Sequence, residues 1–182
     1  MAFAHHTHVV FECTFLAGSS PFGVPLHTRS LPRFLSRLRK SLHIDDPRMD
    51  SILDKCVELS MPVNIHVGEE KWMYEPMDQT NDGLMNAWKW RVVHDPGVLQ
   101  HDEVVDTLER AVKKHPRTIF IACHLANCCS DLNRRVAMLE KYPNLYADIG
   151  ARYAELSPIP RTVSQFFHRY QDRLLYGTDI VP

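Results

Sequence analysis

Three apolar runs in this chain end in a group that can hold a metal ion or move a proton. Met61-Pro62-Val63-Asn64-Ile65-His66-Val67 carries His66, Thr118-Ile119-Phe120-Ile121-Ala122-Cys123-His124 closes on His124, and Leu174-Leu175-Tyr176 opens into Gly177-Thr178-Asp179. Parallel strands are buried on both faces and read as unbroken apolar runs, so their carboxyl ends are where side chains meet a ligand. Two neutral imidazoles and a carboxylate suit Zn²⁺ or a similar divalent ion, which activates a water or polarises a carbonyl. An uncoordinated histidine would instead serve as a general base. Taken singly, a strand-end histidine is more often a hydrogen-bonded rim residue, and Asp179 alone could cap a helix. The repeated placement on three strands is what points to a joint site.

The elements that must position these groups follow in order from Asp45. Asp46-Pro47 is an N-cap followed by proline at the first helical position, and the spacing of Met49, Ile52, Leu53, Cys56 and Val57 carries that helix to Leu59. Asp102 to His115 is helical by Val104, Val105, Leu108 and Val112. A helix from Ser130 to Tyr142 and another from Pro160 to Tyr170 alternate with the strands Leu145–Ile149 and Leu174–Ile180. Helix and strand alternate strictly, which means βα units on a parallel sheet. The expected fold is α/β, a partial (β/α)8 TIM barrel with about four to five parallel strands and outer helices. Residues two apart share a strand face, so Asn64, Ala122 and Gly177 lie beneath the three candidates and leave room for a ligand.

Residues 1–44 form a poorly defined segment, with a candidate strand at 9–16 and a basic amphipathic helix at 30–42; residues 45–182 form the barrel part. His6 and His8, an i, i+2 pair, would share a face on a strand, but they read as part of a terminal segment. The long connection from Gly68 to Gln100 carries Trp72, Trp88 and Trp90 and reads as a cover or binding segment. Asp148, near the end of a strand, and the Arg152–Glu155 cluster at a helix start are weaker site candidates. A net charge of −1 with interspersed signs leaves no electrostatic footprint for nucleic acid or an anionic membrane. No apolar run reaches the roughly 20 residues of a membrane span. Five cysteines without a Cys-x-x-Cys spacing fit reduced thiols, hence a cytoplasmic protein.

The segments Pro62 to Glu69, Phe120 to Asn127, Tyr142 to Arg152 and Tyr176 to Asp179 resemble the amidohydrolase-2 family, which groups metal-dependent hydrolases with related decarboxylases. The resemblance implies a (β/α)8 barrel with a divalent metal, commonly zinc, at its carboxyl-end rim, and a small-molecule substrate. It implies that His66 and Asp179 are metal ligands, with Asp179 also able to handle a proton. His124 would be a catalytic residue that polarises the substrate or assists proton transfer, or a third ligand. The family's first strand ends in His-x-His, but His6 and His8 precede His66 too closely for three βα units of roughly 30 residues each. The chain therefore reads as the second half of such a barrel, as a truncated or inactive fragment would. Its open edges are expected to favour a homo-oligomer.

Overall fold

The computed structural model describes residues 10–12, 42–81, 83, 88, 91–92 and 98–179. Among them run β1 (Val10–Glu12), α1 (Asp50–Glu58), β2 (Val63–His66), α2 (His101–Lys114), β3 (Phe120–Ala122), α3 (Leu132–Lys141), β4 (Leu145–Asp148), α4 (Tyr153–Leu156), α5 (Pro160–Tyr170) and β5 (Leu174–Leu175). The strands form one sheet in the order β1-β2-β3-β4-β5. From β2 to β5 every neighbouring pair is parallel. A sheet that adds each new strand on the same side is wound singly, as in a barrel; a doubly wound sheet reverses its order. The described strands are thus an arc of a (β/α)-barrel, with four parallel members as expected.

The fifth strand differs in direction. Val10 pairs with His66 and Glu12 with Asn64, so β1 runs antiparallel to β2. The candidate strand 9–16 contributes residues 10–12, whereas the candidate helix 30–42, His6, His8 and Trp90 fall outside the described residues, apart from Leu42. The last strand is also shorter than its apolar run: only Leu174 and Leu175 pair, and Tyr176 is exposed.

Helix starts follow the signals in the sequence. Asp46 accepts from the Arg48 N–H at 2.9 Å, Pro47 opens a single 3-10 turn, and α1 follows it. The Arg48 guanidinium beside Asp46 pulls that carboxyl down to about 2. Gln100 and Glu103 close a reciprocal capping box at the start of α2. One core joins helices to sheet: Leu53 and Leu108 from the helices meet Val63, Ile65, Phe120, Ala122, Leu145 and Ala147 from the strands, all 0% exposed. The opposite face of the arc keeps Asn64, His66, Tyr146 and Asp148 only half-buried. Cys56, Cys128 and Cys129 are buried in the core and unbridged, as small apolar residues. No helix among the described residues is long and apolar enough to cross a membrane.

Candidate metal centre

In β2 the fully buried Val63 and Ile65 point to the helices, so the alternation of the strand puts Asn64 and His66 on the inner face. The register with β3 and β4 brings Ile121 and Tyr146 alongside Asn64, and Asp148 lies one pleat further up. His124 leaves β3 in an unusual way. Residues His124, Leu125, Ala126 and Asn127 all have positive φ, at 56°, 56°, 56° and 53°. A left-handed turn costs about 1–2 kcal/mol per non-glycine residue, so it persists only where its surroundings over-determine it.

The surroundings here do so. The His124 backbone N–H donates to Asp148 Oδ1 at 2.9 Å, and the same oxygen accepts from the Gly150 N–H at 2.9 Å. At the other end of the turn, the Asn127 amide donates to the carbonyls of Val67 at 3.3 Å and Gly68 at 2.9 Å. The Asn127 carbonyl in turn accepts from His101 Nε2 at 2.8 Å. The turn is thereby stapled to the loops after β2 and β4 and to the first residue of α2. Asp148, a weaker candidate in the sequence, acts here on the backbone of its neighbours.

These ties fix the chemistry of His124. Its Nδ1 lies 2.9 Å from the Gly150 carbonyl, which can only accept, so Nδ1 carries a proton and the lone pair of the neutral ring is the one on Nε2. Nε2 faces Asp179 Oδ2 at 4.0 Å, and the His124 ring meets the His66 ring edge-on with centroids 5.0 Å apart. Asp179 itself sits at φ 58° with its side chain 56% exposed. His66 Nε2 lies 3.7 Å from Glu69 Oε1. Burial pushes the His66 imidazole toward its neutral form, but the Glu69 carboxylate beside it outweighs that, and its pKa ends above the ordinary value. His66, His124 and Asp179 thus share one rim.

The donor set, two imidazole nitrogens and a carboxylate, suits a divalent ion, and the backbone bond at His124 Nδ1 is the usual device for aiming the other nitrogen at a metal. At ligand bonds near 2 Å, 4.0 Å between Nε2 and Oδ2 is about the widest separation one ion can bridge. Among the described residues no three His, Cys, Asp or Glu side chains are close enough to enclose an ion. For one ion to be held by all three, the side chains would have to close by rotation, for which the exposed Asp179 is the freest.

Gly150 is the tightest point behind the centre. A methyl group there would come within 3.2 Å of Asp148 Oδ1 and 3.5 Å of both His124 Nδ1 and the Asp179 backbone nitrogen. Gly150→Ala is expected to displace His124 and lower metal affinity by about tenfold, as loss of an outer-sphere partner does, while the thermal midpoint falls only slightly. Isothermal titration of the purified variant checks this. In the connection after β2, Trp72 lies over the Gly83 backbone, where a Cβ would come within 2.9 Å of the ring, and Tyr74 meets His101 of α2 edge-on. Trp88 is half exposed beneath Arg91, at 5.7 Å.

The model of the Amidohydro_2 amidohydrolase family matches residues 18–182. The chain belongs to this family. Solved structures similar to this chain include an uncharacterized TIM-barrel protein from Bordetella bronchiseptica. It is 17% identical with a TM-score of 0.49, over 75% of this chain and 39% of that one. A 5-carboxyvanillate decarboxylase from Sphingomonas paucimobilis is 10% identical with a TM-score of 0.47, over 78% and 45%. A dihydroxybenzoic acid decarboxylase from Polaromonas, with bound manganese and 2-nitroresorcinol, is 17% identical with a TM-score of 0.43, over 76% and 45%. The chain spans less than half the length of each of these proteins. No curated protein sequence matches it.

Proposed function

We propose that this amidohydrolase is a metal-dependent enzyme acting on a small organic substrate, with His66, His124 and Asp179 holding a divalent ion, zinc by preference. The observation that carries the reading is the His124 tautomer: a ring whose Nδ1–H is committed to the Gly150 carbonyl offers Nε2 toward His66 and Asp179. A bound zinc would supply Lewis acidity at an oxygen that gathers negative charge. Asp179, exposed and 4.0 Å from Nε2, takes a proton from water or gives one to a carbon. His124, stapled through its backbone to Asp148, keeps Nε2 aimed at the ion, and the segment from Gly68 to Gln100 covers the substrate.

Hydrolysis of an ester or amide is the first reading, and decarboxylation, which the family also includes, is the second. The two differ in the direction in which Asp179 moves a proton: from the attacking water in hydrolysis, to the carbon that loses carbon dioxide in decarboxylation. The buried, unbridged thiols fit a reducing cytoplasm. The outer edge of β5, paired only with β4 among the described residues, is where a second copy would add. The purified chain, reconstituted with zinc or manganese, is screened against lactones, amides and carboxylated aromatics. Turnover of one class that disappears with chelator is expected, and a chain that takes up no metal at all overturns the reading.

A further inference from the structure

Apart from the three donors, the polar group near the rim that sequence alone gives least reason to expect is Glu70. Its side chain is 0% exposed, although a Glu-Glu pair after a glycine reads as solvated loop. Arg152, 12% exposed, donates through Nη1 to Glu70 Oε1 at 2.9 Å and to Glu155 Oε1 at 3.4 Å. Its Nε lies 3.4 Å from the Gly150 carbonyl, the same oxygen that receives the His124 Nδ1–H. A carboxylate so deeply withdrawn from water survives only when paired, and the second oxygens of both Glu70 and Glu155 are buried with no hydrogen-bond partner among the described residues. The pair is therefore kept at a cost, in a place where an apolar contact would serve the core as well.

Its position says what it does. Glu70 stands four residues beyond His66 in the loop after β2, and Arg152 stands two beyond Gly150 in the loop after β4. One ion pair between residues 82 apart in sequence thus joins the segment that carries His66 to the segment that aims His124. We infer that Glu70 and Arg152 form a positioning latch that sets the separation of the two imidazoles, and through it the affinity of the centre for a divalent ion. The inference rests on the metal reading above and concerns residues that touch neither metal nor substrate. Glu155, in the first turn of α4, holds the same guanidinium from the far side.

Cobalt(II) titration followed by visible absorption reads the centre, and hydrogen exchange of the metal-free protein reads the latch. Arg152→Gln is expected to weaken cobalt binding about 10–100-fold, the range for outer-sphere partners, and to speed exchange together in residues 66–75 and 148–156. Arg152→Lys, which keeps the charge on one donor, recovers part of both. Arg134→Gln, which removes exposed ion pairs to Asp102 and Asp106, leaves both unchanged. Should Arg152→Gln fail to fold, Glu70→Gln keeps an oxygen for Arg152 and is expected to weaken cobalt binding about fivefold. A folded Arg152→Gln or Glu70→Gln protein that binds cobalt within twofold of wild type overturns the latch, as does faster exchange confined to residues 148–156. If the wild-type chain takes no cobalt, the metal reading fails by itself, and the coupled exchange of the two segments still decides whether the latch exists.

Discussion

Replacing His66 with alanine is expected to weaken zinc or manganese binding by more than about a hundredfold, because loss of a mere outer-sphere partner already costs 10–100-fold and the proposed role of His66 is that of a direct donor. Val63 and Ile65 are fully buried against the helices, so β2 has one inner-face side chain at the rim, and the His124 ring 5.0 Å away is already committed. Competition with a chromogenic chelator measures the constant, and equal affinities for H66A and wild type would remove His66 from the centre. The pH dependence has a definite sign. A metal binds only the neutral imidazole, and Glu69 holds the His66 pKa above its ordinary value, so loading falls as the pH drops through that raised value. Glu69→Gln removes the charge that raises it and should move the loss of metal to lower pH.

Asn127 is expected to matter most for stability. Asn127→Ala leaves the Val67 and Gly68 carbonyls without their donor in a buried setting, at about 1–3 kcal/mol for each group left unsatisfied. It also places alanine at φ 53°, where asparagine is better tolerated. A loss of about 3 kcal/mol in urea unfolding is expected. Asn127→Gly loses the same two hydrogen bonds but not the conformational fit, so it should unfold about 1 kcal/mol later than the alanine variant. Alanine and glycine variants of equal stability would show that backbone conformation contributes nothing, and a loss below about 0.5 kcal/mol for both would sink the stapling role of the side chain.

What the sequence made legible was whatever leaves a periodic or terminal signal. His66 and His124 stand at the ends of apolar runs, Asp179 follows a Gly-Thr turn, and the helices of the barrel arc show their apolar spacing and caps. The left-handed turn was hidden because Leu125 and Ala126 carry no mark of positive φ; only Asn127 belongs to a type that favours it. Asp148 looked like a rim acid, and its work on two backbone amides depends on the register of β3 with β4, which no local pattern encodes. Glu70 was overlooked because its burial is decided by Arg152, 82 residues away. The direction of β1 was equally unreadable, since β-propensity in a short run says nothing of which way it pairs.

The singly wound sheet has a bearing on how such a protein can be recombined. Strand by strand it is modular, each βα unit adding one chemical position to the rim. Its loops are not: Asn127 ties the third strand's loop to the second's, Asp148 ties the fourth's to the third's, and Arg152 ties the fourth's to the second's. A crossover with a homologue anywhere between β2 and α4 would sever at least one of these ties. The stretch from residue 63 to residue 156 is therefore expected to exchange as one block, and chimeras keep these ties when their junctions fall outside it.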